Sequence, residues 1–308
     1  MDDRATRRSR SRKRSARLRC AFALPALCVA LAGCATPLVA QEGPGATPAN
    51  WAPAGAPETQ AGPSYADLVS LAQVAELAVI VAIADQVQVP AERAPGLEAG
   101  KARLYLEAAT ETLLAGRVAV GESLTFLADR ELTARGRAPD LEDQRFLLFA
   151  RAVPGRPGEL QLVSPAAMLP AAPMLIERTR TVLRQIADSQ NLPEVTGVRE
   201  VISIAGNLAG ESETQIFLKT ARGEPVSLSI LRRPGMTPEW GVSWTEIVDQ
   251  AATAPQPETL EWYRLACFLP PELPGEGFLQ NEANARARAR EDYAFVLEAL
   301  GPCGRTGL

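Results

Sequence analysis

Histidine is absent from all 308 residues, and that gap excludes more chemistry than any motif supplies. Ser-His-Asp and Cys-His nucleophilic systems, histidine-dependent zinc sites and the usual acid–base side chain near neutral pH are all removed. The histidine-free substitutes fare no better. A Ser-x-x-Lys dyad would need a serine three residues before Lys101 or Lys219, where Glu98 and Ile216 stand. Gly-x-Ser occurs at Gly62, Gly121, Gly210 and Gly241, but no copy closes with the second glycine of a nucleophile elbow. There is no Gly-Lys-Ser/Thr phosphate loop and no Gly-x-Gly-x-x-Gly dinucleotide turn. No metal or cofactor is implied, and the expectation is of a protein that is not an enzyme.

Aromatic residues are sparse at 5% and cysteines number five. Positive charge is scarce outside the first segment: residues 1–33 hold nine Lys/Arg against two Asp/Glu, so the formal −4 of the whole chain becomes −11 without them. Such an acidic body argues against electrostatic binding to nucleic acid. The basic run Arg4–Arg19 followed by the apolar Cys20–Ala32 has the order of a secretory signal peptide. The apolar run is short for a membrane-spanning helix and is interrupted by Pro25 and Gly33.

Leu31-Ala32-Gly33-Cys34 closes that leader and resembles the lipobox of bacterial lipoproteins. The resemblance implies removal of residues 1–33 and acylation of Cys34; Ala35, in place of an aspartate, implies the outer membrane, with the body facing the periplasm. The alternative is cleavage after Ala40, which would release a soluble periplasmic protein. With Cys20 and Cys28 leaving in the leader and Cys34 lipidated, Cys267 and Cys303 remain as a pair, and in an oxidising compartment two such residues are expected to form a disulfide.

Residues 34–63 are Pro, Ala and Gly with little else and read as an extended tether. Ser64 reads as the N-cap of a helix with Asp67 as an acid in its first turn, and Leu68, Leu71, Ala72 and Ala75 recur at helical spacing. Strands are predicted over 78–89, 102–113, 123–130, 145–153 and 159–163, the last two joined by the Pro/Gly-rich turn 154–158. The order of these strands resembles the OB-like barrels of netrin and metalloproteinase-inhibitor type domains, which implies a small antiparallel β-barrel over 64–167 and suggests a protease inhibitor as one alternative function. The barrel segment contains no cysteine, so the inhibitory N-terminal cysteine of that family has no counterpart.

Residues 168–308 read as a second, α+β section: a breaker-rich link over 165–173, a helix over 174–189 with its stripe at Leu175, Ile176, Thr179, Val182, Leu183 and Ile186, then strands over 198–205, 214–220, 226–232 and 240–247, then helices over 260–269 and 281–300. The middle strands form a hairpin over Ala221-Arg222-Gly223-Glu224-Pro225. Gly-Glu-Ser recurs at Gly121 and Gly210, and Ala-Arg-Gly at Ala134 and Ala221, a short hint of internal duplication. The whole is therefore expected to be α+β.

Two acidic clusters, Asp140/Glu142/Asp143 and Glu211/Glu213, are expected in solvated loops; they keep open a carboxylate-dependent hydrolase of envelope glycan. Trp240 and Trp244 share one side of a strand with Val242 between them, either as a platform for a sugar or peptide or as core filling. The arginines from Arg286 to Arg290, set among alanines and acids, read as a solvated helix face. The leading expectation is a lipid-anchored protein that binds or scaffolds in the cell envelope, with an envelope protein as its candidate partner.

Overall fold

The computed structural model describes residues 62–246 and 252–306. Cys34 and the tether up to residue 61 lie outside the described residues, as does the end of the strand predicted over 240–247. Helix α1 (Tyr65–Val74) opens the body. Its capping box is complete: the Ser64 hydroxyl accepts from the Asp67 N–H, and the Asp67 carboxylate accepts from the Ser64 N–H.

Strands β1 (Leu77–Gln88), β2 (Lys101–Gly116), β3 (Ser123–Glu131), β4 (Arg145–Ala152) and β5 (Glu159–Leu162) follow. Their order is β1-β2-β3-β5-β4, and β4 pairs back onto β1, which closes a five-stranded OB-like barrel. The pairings are antiparallel except β3 with β5. Gly155 and Gly158 take positive φ in the turn between β4 and β5, a conformation that a side chain would strain. A short strand β6 (Met168–Pro170) pairs with β4 inside the segment expected to be a link.

β1 and β4 are apolar without interruption, as in Leu77-Ala78-Val79-Ile80-Val81 and Phe146-Leu147-Leu148-Phe149, because both of their faces are covered. Leu77, Val79, Val81, Phe146 and Leu148 fill the barrel, while Ala78, Ile80, Leu147 and Phe149 join the larger core outside it. α1 lies in that larger core, with Leu68 and Val69 fully buried.

α2 (Pro173–Asp188) begins with proline in its first turn, where a missing N–H costs nothing, and packs through Ile176, Thr179 and Val182. β7 (Val195–Ala205), β8 (Ser212–Thr220), β9 (Ser227–Arg232) and β10 (Glu239–Ser243) form a four-stranded antiparallel sheet in the order β10-β9-β8-β7. Its alternate residues Val198, Val201, Ile216, Leu218, Leu228 and Ile230 face the same core as α1. α3 (Leu260–Ala266) and α4 (Ala283–Leu300) complete it. α3 is shorter than expected: Cys267 already leaves the helix, and Cys267 and Cys303 are joined by a disulfide. The architecture is thus α+β, as the sequence pattern predicts.

Candidate functional site

On β2, Ala102, Leu104, Leu106 and Ala108 point into the barrel, so Arg103, Tyr105 and Glu107 point out. On β3, Leu124, Phe126 and Ala128 point in, and Thr125, Leu127 and Asp129 point out. Outward positions facing water should be polar, yet Tyr105 and Leu127 are not. The register sets Val87 opposite Tyr105 and Tyr105 opposite Leu127, so the three form one apolar row across β1, β2 and β3. They are 56%, 41% and 49% exposed. Directly opposed side chains on one face of antiparallel strands lie within contact reach, so this row is a single patch.

The neighbouring row is polar and fixed. Arg103 Nε and Nη2 donate to the two carboxylate oxygens of Asp129 at 2.7 and 2.8 Å, and Nη1 donates to the Pro95 carbonyl at 3.1 Å. The Arg103 hydrogen bonds hold the Asp129 carboxyl below its ordinary range, against the opposing effect of burial. Beside both rows runs a cleft of about 540 Å³ that continues past Gln161 and Ser164. An exposed aromatic and aliphatic pair next to a rigid guanidinium–carboxylate fork supplies stacking area and directed hydrogen bonds, and the cleft contains neither a thiol nor a metal-ligating cluster.

A second cleft, of about 550 Å³, lies on the sheet β7–β10. Trp240 lines it, but its register partner is the buried Ile230, and Val242 is opposite Leu228. Trp240 and Trp244 both pack against the main core, so their phase in the strand is that of core residues. Glu211 is a loop closer: its carboxylate accepts from the N–H groups of Asn207 and Leu208 at 3.0 and 3.2 Å. It sits where a side chain on residue 206 would be, which is why that position is glycine. Glu213, expected in a loop, is on β8 and opposite Leu231, and Glu239 on β10 is opposite the same residue. The two carboxylates therefore flank Leu231 across the sheet; Glu239 is held by Arg233 at 2.8 Å. In the other acidic cluster, Asp140 accepts from the Glu142 N–H at 3.2 Å and Asp143 has φ 61°, as befits the loop before β4.

Asp292 escaped the sequence reading, and so did the burial of Asp67. Asp292 on α4 is fully buried against β8 and β9. It accepts from Thr214 Oγ1 and Arg232 Nε. A carboxylate only accepts, so the single Thr214 proton goes to Asp292 and Ser203, 2.9 Å away, supplies its own. Arg232 also reaches Glu291 at 3.2 Å. Asp67, besides capping α1, accepts from the N–H and hydroxyl of Thr306 at 2.9 and 3.1 Å. Burial alone would raise its pKa, but the N–H groups of Thr306 and Ser64 and the two hydroxyls prevail and hold it below the ordinary range. Both residues fix elements in place rather than line a cleft.

Among the described residues no group of three or more metal-ligating side chains comes together, and no helix is long and apolar enough to cross a membrane. No family model and no curated protein matches the chain.

Proposed function

We propose that this is a lipid-anchored protein of the bacterial envelope, attached through Cys34 and facing the periplasm, that acts by binding a partner on the outer face of its barrel. The single observation that carries the binding reading is the exposed row Val87–Tyr105–Leu127 beside the Arg103–Asp129 fork. A row of this kind costs solubility, and a closed barrel has no structural need of it on its outside. The leader and Cys34 support the anchor.

The test has two parts. Intact mass of the membrane-extracted protein is expected to begin at Cys34 with added acyl chains; a mass beginning at Gln41 without lipid would overturn the anchor. A photo-reactive residue at Tyr105 or Leu127 is expected to give a discrete crosslinked species in the envelope, and Leu127→Arg should abolish the product formed from Tyr105. Crosslinking that is no greater than from a position such as Glu92 would overturn the binding face.

A second reading, a carboxylate-dependent hydrolase of envelope glycan, draws on Glu213 and Glu239 flanking Leu231 in the other cleft. Two carboxylates on either side of a bound sugar are what such a reaction requires. Glycan release that is lost in Glu213→Gln or Glu239→Gln would favour it over the first.

A further inference from the structure

We propose that Arg286 and Arg290 of α4, gathered around the ring of Phe278, form a binding site for a phosphate-bearing anion. The guanidinium carbons lie 4.6 and 4.9 Å from the centroid of that one ring. The alternation of arginine with alanine reads in sequence as a solvated face; the ring is what that reading lacks.

The ring is held by backbone. Phe278 bridges to Val201 at the edge of β7, the Leu279 N–H donates to the Val201 carbonyl at 3.0 Å, and the Gln280 side chain accepts from the Ser203 N–H at 2.8 Å. Arg286 Nη2 is further tied to the Gly275 carbonyl at 3.2 Å. Two long cationic side chains are thereby brought to one place, and less of their freedom remains to be lost on binding.

Neither guanidinium is ion-paired with a carboxylate among the described residues. Most arginines elsewhere in this section have a carboxylate: Arg178 with Glu258, Arg180 with Glu177, Arg199 with Glu200, Arg222 with Glu224, Arg232 with Glu291 and Asp292, Arg233 with Glu239, Arg264 with Glu194; Arg184 and Arg305 bond to neutral oxygens instead. Among the described residues Arg286 and Arg290 have none, and Arg288 between them turns to the Ser203 carbonyl at 3.3 Å. Like charges one helical turn apart repel, and cation–π contact with a shared ring offsets only part of that. An oxyanion between the forks removes the repulsion and gains charge-assisted hydrogen bonds. Phosphate suits two planar forks better than a carboxylate does, since its oxygens diverge to serve both. The phosphate could belong to a lipid headgroup or to a soluble phosphate ester; the residues recognise the group itself, whether or not the chain carries a lipid anchor.

The test uses the full chain at low salt. Inorganic phosphate followed by calorimetry is expected to bind saturably, and Arg290→Gln or Arg286→Gln should weaken it at least tenfold. Arg222→Gln, which removes the same charge from a distant hairpin, should leave it unchanged. Arg290 is exposed and among the described residues makes only the ring contact, so its replacement should keep the thermal midpoint. In parallel, sedimentation with phosphatidylglycerol and with phosphatidylcholine vesicles compares the wild type with Arg290→Gln. An excess on phosphatidylglycerol that the variant loses identifies a lipid headgroup, and phosphate binding without that excess identifies a soluble ester. Absence of saturable binding to both probes, or equal binding by the Arg290→Gln and Arg222→Gln variants, overturns the proposal.

Discussion

Asp67 does two jobs with one carboxylate. It closes the capping box of α1 and it receives the N–H and hydroxyl of Thr306 from the far end of the chain. Its pKa is lowered on folding, so its contribution to stability is complete above the ordinary aspartate range and is lost as pH falls through the lowered value. Asp67→Asn should therefore cost ~2 kcal/mol near neutral pH, from a weakened cap and lost charge-assisted bonds. Urea midpoints of wild type and variant should differ at about pH 7 and converge only as the pH falls below the ordinary aspartate range. A gap that stays constant with pH would show that the charge on Asp67 is not what matters.

The same scale marks what periodicity cannot reveal. An aspartate on a helix otherwise spaced with alanine and arginine gives no sign that it is buried, and Asp292 becomes intelligible only when Thr214 and Arg232 are seen to converge on it from two strands. Tyr105 was closer to legible, because it breaks the inward phase of Ala102, Leu104 and Leu106 on its own strand. What the strand does not disclose is its alignment with Val87 and Leu127, since β1 and β2 slip register three times between Ala78 and Asp85. Each slip changes which residues face one another.

Among elements, those with strong punctuation were readable: the hairpin between β8 and β9, the glycine turn between β4 and β5, and the cap of α1 are all where local chemistry requires them. β6 was not, since three residues between prolines carry too little pattern to outweigh their neighbours. The Cys267–Cys303 bridge ties the end of α3 to the tail beyond α4, at a sequence separation of 36. On the chain-entropy account a loop of that size contributes ~4 kcal/mol. Reduction should lower the urea midpoint accordingly, and amide exchange should speed first in the tail and in the first turn of α1, whose Asp67 carboxylate receives Thr306. If exchange there were unchanged on reduction, the tail would be held by Asp67 and by Arg305 stacked over Tyr263 and Phe268 without help from the bridge.

For the molecule as a whole, the larger core is shared. Leu68 of α1 is fully buried in a cluster that also contains Ile80 and Phe149 from the barrel and Ile216 and Leu228 from the second sheet. Leu68→Ala should destabilise the protein by ~2–5 kcal/mol. Because the barrel leans on that cluster, the loss should fall on both sections at once. Trp240, Trp244 and Trp262 belong to the second section and the fourth tryptophan, Trp51, lies outside the described residues, so in a Trp51→Phe background tryptophan fluorescence reports that section alone, whereas far-ultraviolet dichroism reports both. Coincident transitions are expected in wild type and variant; separated ones would mean that barrel and sheet melt as independent units.

Thr306 hydrogen-bonds to Asp67 in the first turn of α1, five residues beyond residue 62. Both ends of the body are therefore on one spot of its surface. A short linker between them would permit circular permutation, with new ends opened in the exposed hairpin turn 221–225, and the permuted protein should still fold. By the same geometry an affinity tag or fusion domain joined directly after Thr306 would emerge beside the first turn of α1. Such an addition would crowd the first turn of α1, and a bulky reporter is better inserted at that hairpin turn.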